Sequence, residues 1–118
     1  NKMKGMGQIV TWSARDETLH CNSMIKLFRT FVEENPDIWT DQLKKEIYES
    51  CRTIISHEDA FINLAFEMGP INGLTPDQVK QYIRWIGNRR LIQLGLEPIY
   101  QVEKKRIIWD WEFLLQKI

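Results

Sequence analysis

The chain has 118 residues, close to the commonest domain size, which predicts a single domain over residues 1–118. Its 16 basic and 16 acidic residues form no block of like charge, so neither nucleic acid nor an anionic membrane surface is expected as a partner. No apolar run approaches the roughly 18 residues that span a bilayer, and Cys21 and Cys51 stand alone, which favours a reducing, cytoplasmic location.

Apolar periodicity predicts four helical segments and no sheet, which is an all-α fold. The first helix is predicted from about Met3 to Phe31, and it ends before Pro36. One of its faces is expected to be buried, because apolar side chains recur along it every three or four residues. The residues of this face, here called the first stripe, are Val10, Ser13, Glu17, His20, Met24, Leu27 and Phe31.

The second helix is predicted from about Thr40, a favourable N-cap, to Met68. Its expected buried face, here called the second stripe, consists of Leu43, Ile47, Cys51, Ile54, Glu58, Phe61, Ala65 and Met68. Glu58 interrupts this apolar series and is interpreted as a buried, hydrogen-bonded acid, with support of a metal ligand as the alternative. His57 points about 100° away from Glu58 and is expected to face solvent.

A third helix is predicted from Thr75 and Pro76, which suit the N-cap and the first helical position, to Gly95. Apolar side chains cover so wide an arc of this helix that more than one neighbour is expected to pack against it. A fourth helix is predicted over roughly Lys104 to Lys117, where the sequence reads IIWDWEFLL.

Three arginines of the third helix are expected to pair with acids rather than to bind phosphate, and these are Arg84, Arg89 and Arg90. The two cysteines are interpreted as small core side chains rather than nucleophiles.

Two polar residues of the first stripe, Glu17 and His20, are three positions apart and are therefore neighbours on the helix surface. A carboxylate and an imidazole aimed at one point suit iron or manganese in the core of a helical bundle. Most pairs at this spacing are surface contacts, however, so the pattern alone leaves three hypotheses open. They are a metal-ligand pair, a metal site shared by two copies of the chain, and a hydrogen-bonded pair in a helical interaction module without metal.

Longer stretches resemble a known family. SARDETLHCNSMIKLF, residues 13–28, is similar to the RDE-x-x-H helix of the small, radical-generating subunit of class I ribonucleotide reductase. EDAFINLAFEMGPINGLTPDQVKQYIRWIGNRRLIQLGLEPIY, residues 58–100, resembles the two helices that follow in that family. IIWDWEFLL is similar to a divergent form of the family's PWLDWLL segment, so nearly the whole chain is covered in the family order.

The resemblance implies a ferritin-like helical bundle with a dinuclear iron or manganese–iron centre. In that family the centre reacts with oxygen to make a radical, usually on a tyrosine. The radical passes to a large subunit, which makes the deoxyribonucleotides needed for DNA replication. Glu17 and His20 match ligands of one metal, and Asp16 matches an acid on the radical-transfer route that hydrogen-bonds the histidine of the other metal. Ser13 falls where the family often has an apolar neighbour of the radical site.

The same resemblance implies that the chain is a carboxy-terminal portion of a small subunit. The family's centre needs six protein ligands on four helices, and only two are matched here. No catalytic residue is expected in this chain, because none of its tyrosines takes the place of the radical tyrosine; they are Tyr48, Tyr82 and Tyr100.

Several expectations follow for the isolated chain. We expect it to be inactive, to have an incomplete or absent metal centre, and to form homo-oligomers through the face left uncovered. The missing amino-terminal half and the large subunit are the expected partners. A fragment of a ferritin-like oxidase that binds a long-chain ligand is the alternative within the same fold.

Overall fold

The structure is a computed structural model, and it describes residues 3–102. The helical elements in chain order are α1 (Lys4–Glu34), a short 3-10 helix (Pro36–Ile38), α2 (Asp41–Glu67) and α3 (Pro76–Gln93). No strand occurs in this part of the chain, where an isolated bridge joins Ile71 and Leu74. The predicted all-α class is confirmed, in agreement with a ferritin-like helical fold. The fourth predicted helix, at residues 104–117, lies outside the described residues.

Local hydrogen bonds fix the starts of α2 and α3, as the sequence predicts. The Thr40 side chain accepts a hydrogen bond from the Leu43 amide at 3.2 Å. At α3, the Thr75 hydroxyl oxygen accepts from the Gln78 amide, and Gln78 Oε1 accepts from the Thr75 amide, which completes a capping box. These bonds satisfy amides that have no partner within the first helical turn.

Helices α2 and α3 pack directly against each other. They approach closely at Gly87, where a Cβ atom would lie 2.7 Å from Ile55 Cδ1. A larger residue at position 87 would therefore collide with α2 unless Ile55 moved. The buried apolar side chains of the described residues lie on α2, on α3 and just after α3, and they are Ile55, Ile62, Leu91 and Leu96.

After α3 the chain reverses at Gly95, whose φ of 91° favours glycine. The buried Asn88 side chain holds the returning segment. Its Nδ2 donates to the Tyr100 carbonyl oxygen at 2.8 Å, and its Oδ1 accepts from the amides of Ile99 and Tyr100, both at 3.0 Å. Helix α3 is thus covered both by α2 and by this segment, which confirms the prediction of more than one neighbour.

The carboxyl end of α1 is joined to the rest of the fold. The rings of Phe28 and Trp39 meet edge to face with their centroids 5.9 Å apart. Nη1 of Arg29 donates to the carbonyl oxygen of Gln93 at the end of α3, at 3.1 Å. With 31 residues, α1 is about 46 Å long. No helix within residues 3–102 combines the length and the apolar character needed to cross a membrane.

The covered faces of α1 and α2 differ from the predicted ones. On α1, the less exposed residues are Thr11, Ala14, Cys21, Ile25, Phe28 and Val32, whereas every residue of the first stripe is exposed. On α2, the second stripe is exposed from Ile54 onwards, and the buried side chains lie beside it. At 100° per residue, each covered arc is rotated by about 90° from the predicted one. Both helices are therefore apolar on two faces, of which the described chain covers one.

Candidate metal centre

Glu17 and His20 lie near the middle of α1, on one face of the helix. Between them, the Thr18 hydroxyl donates to the Ala14 carbonyl oxygen at 2.7 Å, so this polar side chain is satisfied without breaking the helix. Both Glu17 and His20 are exposed, so the prediction that they lie on a buried face is wrong for the described chain. The physical reason is the rotation of α1, which turns its other apolar face towards the fold.

Asp16 is the acid that the structure places beside His20. Its Oδ1 lies 3.6 Å from His20 Nε2, and the two side chains are 65% and 62% exposed. This distance is longer than a hydrogen bond, and an exposed pair of this kind contributes little to stability. His20 is therefore paired with Asp16 rather than with Glu17, which gives no support to a hydrogen-bonded Glu17–His20 pair.

The Glu17–His20 pair can supply part of a metal coordination sphere. A carboxylate oxygen and an imidazole nitrogen are donors that iron, manganese and zinc accept, so the chemistry of the pair fits a metal. Two donors do not enclose a cation, however. Among residues 3–102, no three His, Cys, Asp or Glu side chains come close enough together to hold one. A complete centre needs further donors from outside this part of the chain.

Exposed apolar side chains continue the face that carries the pair. Val10, Met24, Leu27 and Phe31 are between 49% and 64% exposed. Large apolar residues that are scattered singly over a surface need no explanation, but an unbroken row such as Met24, Leu27 and Phe31 is typical of a surface that binds another protein segment.

A second uncovered face lies between α2 and α3. A groove of about 630 Å³ runs there, and aliphatic side chains from both helices form most of its lining. Glu58 lies at its edge and is exposed, so the interpretation of Glu58 as a buried acid is wrong. The reason is again the rotation of the helix, because α2 turns Asp59 rather than Glu58 towards α3. His57 is exposed, as predicted.

Asp59 and Arg84 join α2 to α3 through a two-pronged salt bridge. Nη1 and Nη2 of Arg84 donate to Oδ1 and Oδ2 of Asp59 at 2.9 and 2.7 Å. These hydrogen bonds hold the pKa of the Asp59 carboxyl below its usual value and raise the pKa of Arg84. The predicted pairing of Arg84 with an acid is confirmed. Arg90 instead donates to a glutamine side chain, and Arg89 lies over the Trp85 ring.

Two further ionisable groups lie near this contact. Burial raises the pKa of the Cys51 thiol and of the Tyr100 phenol. Both groups therefore stay protonated near neutral pH. A protonated, partly buried thiol is a packing group, in agreement with the interpretation of Cys51 as a small core side chain rather than a nucleophile.

The fold and the donor pair together define a class of protein. An all-α chain with a Glu-x-x-His pair on a long helix is typical of helical proteins that bind metals through carboxylates and histidines. The particular family follows from comparison with known proteins, because residues 1–106 match the family model described as "Ribonucleotide reductase, small chain". The chain belongs to this family.

Individual relatives agree with the family match. The chain is 48% identical over 113 residues to the probable ribonucleoside-diphosphate reductase small subunit 048L of Invertebrate iridescent virus 3, with 95% of this chain and 30% of the relative covered. It is 41% identical over 122 residues to the probable small subunit 376L of Invertebrate iridescent virus 6, with 86% of this chain and 34% of the relative covered. It is 38% identical over 100 residues to ribonucleoside-diphosphate reductase subunit beta of Chlamydia pneumoniae, with 85% of this chain and 29% of the relative covered. The chain spans about a third of the length of the curated relatives it matches.

Proposed function

We propose that the chain is the carboxy-terminal portion of a ribonucleoside-diphosphate reductase small subunit, and that Glu17 and His20 provide two ligands of its dinuclear iron or manganese–iron centre. When bound, that centre supplies the oxidising chemistry that generates the radical used by the large subunit. The contribution of this chain is a pair of ligands, an acid beside them, and the apolar faces that receive the rest of the bundle.

The observation that carries the proposal is the exposure of the whole first stripe. The large apolar side chains of this stripe contribute no hydrophobic stabilisation while they stay in water. The matched relatives are long enough to provide cover, because about two thirds of each lies outside the matched part. A carboxylate and an imidazole in the middle of a face that other helices cover would be costly to bury without a cation between them.

The three polar residues have separate roles in this proposal. Glu17 neutralises part of the metal charge, and His20 adds a neutral nitrogen to the same ion, since their spacing lets both reach one point. Asp16 projects about 100° away from Glu17 around the helix. In this proposal Asp16 accepts a hydrogen bond from a histidine on a neighbouring helix, which would fix the tautomer and orientation of that ring.

The proposal also names the partners and the location. The amino-terminal part of a small subunit supplies the remaining ligands and the radical tyrosine, and the large subunit receives the radical. Generation of the radical and its transfer to the large subunit both take place in the cytoplasm, where the deoxyribonucleotides that result serve DNA replication.

The test is complementation with a related amino-terminal half. The 118-residue chain is co-expressed with the unmatched amino-terminal part of the small subunit from Invertebrate iridescent virus 3, the 48% identical relative. The complex is purified and loaded with iron in air. We expect the two parts to co-purify, two iron ions to bind per complex, and the absorption of an oxo-bridged diiron centre to appear.

Variants on one helix separate ligands from bystanders. Glu17→Ala and His20→Ala are expected to keep the complex but to lower its iron content. Glu33→Ala removes an exposed acid from the opposite side of α1 and is expected to leave the iron content unchanged. A complex that folds but binds no iron, or one whose iron content is the same in all three variants, would overturn the proposal.

A further inference from the structure

A row of side chains on α3 faces away from α2. The row, here called the aromatic face, consists of Tyr82, Trp85, Arg89 and Ile92, whose spacings of three and four residues place them on one side of the helix. The rings of Tyr82 and Trp85 are stacked with their centroids 6.1 Å apart, and the guanidinium of Arg89 lies 5.5 Å from the centroid of the Trp85 ring. At 100° per residue, all four positions lie about 140–160° around α3 from Gly87, where α3 meets α2. Contact with α2 therefore does not cover this face, and Ile92 at its end is 55% exposed.

The chain returns along α3 after the helix ends. The amide of Leu96 donates to the carbonyl oxygen of Leu91 at 2.9 Å, and the backbone of Tyr100 is hydrogen-bonded to the side chain of Asn88. The guanidinium of Arg84 lies 5.7 Å from the centroid of the Tyr100 ring. Successive residues of this returning segment thus contact earlier and earlier residues of α3, so the segment runs antiparallel to the helix. The described part of the chain therefore ends beside α3.

A concavity lies between the returning segment and the aromatic face. Its volume is about 380 Å³, and it is lined by Trp85, Asn88, Arg89, Ile92, Gln93 and Pro98. Three of these residues belong to the aromatic face, and Pro98 belongs to the returning segment, so the concavity marks the border between the two. At about 30 Å³ for each water, it is far larger than the space of a single water molecule. It can therefore accept a bulky side chain from another segment.

The carboxy-terminal segment, residues 103–118, has a length and a pattern that match the aromatic face. It reads EKKRIIWDWEFLLQKI, and most of it falls within the predicted fourth helix. In such a helix one side carries an apolar row with the same spacings of three and four residues as the aromatic face. The residues of this row are Ile108, Trp111, Leu115 and Ile118. Sixteen helical residues span about 24 Å, and the 18 residues of α3 span about 27 Å, so the two lengths agree.

The connection and the charge also favour this segment as the cover. The six steps from Val102 to Ile108 reach about 20 Å when the backbone is extended. That reach is enough to pass around α3, because a helix with its side chains is about 10–12 Å across. Glu112 flanks the apolar row next to Trp111, which brings a carboxylate towards Arg89, the charged residue of the aromatic face.

We propose that residues 103–118 pack along the aromatic face of α3, with Trp111 directed towards the helix. The occupant of this face is then a segment of the same chain rather than a helix from the rest of a small subunit. The aromatic face carries neither Glu17 nor His20, and the proposal is tested on the 118-residue chain alone. Its failure would leave the proposed function and the complementation result untouched.

Alkylation of a cysteine at position 92 measures whether the face is covered. In a background of Cys21→Ser and Cys51→Ser, Ile92→Cys is compared with Ile54→Cys, because the two isoleucines are 55% and 60% exposed within the described part of the chain. Each rate with iodoacetamide is divided by the rate of the same variant in urea. We expect the relative rate to be about tenfold lower for Ile92→Cys, since the segment shields that thiol and raises its pKa. Equal relative rates would overturn the proposal, and so would a lower relative rate for Ile54→Cys, which lies in the groove between α2 and α3.

Two tryptophans of the segment provide a matched pair of variants. Trp111 belongs to the apolar row, whereas Trp109 points about 160° away from it around the predicted helix. Added to Ile92→Cys, Trp111→Glu is expected to raise the relative rate to that of Ile54→Cys, and Trp109→Glu is expected to leave it low. Helix content from circular dichroism checks that both variants fold, and Trp111→Ala with Trp109→Ala gives the same comparison without an added charge.

Two outcomes would assign the cover of this face to something else. Equal relative rates for the Trp111 and Trp109 variants would show that the apolar row does not face α3. Protection of position 92 that arises only after the amino-terminal part of a small subunit is added would show that helices from that part cover the face. Either result would contradict the proposal.

Discussion

The salt bridge between Asp59 and Arg84 allows a quantitative prediction about what holds α2 against α3. Its two hydrogen bonds are 2.9 and 2.7 Å long, and the Arg84 and Asp59 side chains are 25% and 26% exposed. Fully exposed pairs contribute below about 1 kcal/mol, while removal of one partner from a buried pair costs about 3–5 kcal/mol. For this intermediate burial we expect Asp59→Asn to lower the free energy of unfolding by about 2 kcal/mol.

A double-mutant cycle isolates the pair. Unfolding in urea is measured for the parent chain, for Asp59→Asn, for Arg84→Met and for the double variant, and we expect a coupling energy of about 2 kcal/mol. Asp41→Asn is the control, because Asp41 lies 3.9 Å from Lys44 and is fully exposed, so the free energy of unfolding should change by less than about 1 kcal/mol. Additivity of Asp59→Asn and Arg84→Met within about 0.5 kcal/mol would refute the role of the salt bridge.

The pH dependence of the same cycle gives an independent check. Arg84 holds the pKa of Asp59 below its ordinary value of 3.8 in the folded chain. The unfolded chain therefore binds a proton first as the solution is acidified, and the stabilisation is lost as the pH falls from the ordinary value through the lower folded pKa. We expect the stability difference between parent and Asp59→Asn to be constant near neutral pH and to shrink below about pH 4. A stability difference between parent and Asp59→Asn that grows on acidification would contradict this prediction.

Substitutions at two positions and one alkylation reaction test the remaining packing. Asn88→Ala removes three hydrogen bonds and is expected to lower the free energy of unfolding in urea by about 3 kcal/mol. Gly87→Ala is expected to lower the free energy of unfolding by about 1–3 kcal/mol, because the new methyl group would meet Ile55 Cδ1. Part of this loss should be recovered when Ile55→Val is added, since that substitution removes the Cδ1 atom. Alkylation of Cys51 near neutral pH, followed by mass spectrometry, is expected to be slower than that of a free cysteine, because burial raises the pKa of its thiol.

The sequence predicts the elements of this fold well because their signals are local. Thr40 and Thr75 cap helices through residues three positions away, and Gly95 ends α3 through its own backbone angle. Such features depend on a few consecutive residues, and the observed bounds of α2 and α3 lie within two residues of the predicted ones.

The orientation of the helices is not predictable in the same way. The periodicity of α1 and α2 identifies an apolar face, but a helix that packs on two sides has two such faces, and periodicity does not tell which one the same chain covers. For this reason the periodicity predicts buried positions for Glu17 and Glu58, whereas both are exposed. The exposed face is still informative, since it is the one that carries the donor pair.

Contacts between distant residues were missed for another reason. Asp59 and Arg84 are 25 residues apart, and Asn88 bonds a segment about 12 residues further on. The sequence around Asp59 or around Asn88 does not indicate which distant residue its side chain bonds. The signal that was available is the position of Asn88 within a broad apolar arc, where a buried amide needs partners for all its polar atoms.

The central claim is that His20, with Glu17, binds the metal of a centre completed by helices that lie outside the described residues. The most direct measurement is pulsed electron paramagnetic resonance of the manganese(II)-loaded complex assembled from separately expressed parts, of which only this chain carries ¹⁵N-histidine. The His57→Gln variant leaves His20 as the one labelled histidine of the chain. A ¹⁵N coupling to the bound manganese is the predicted result. Manganese bound at full occupancy without such a coupling would contradict the account.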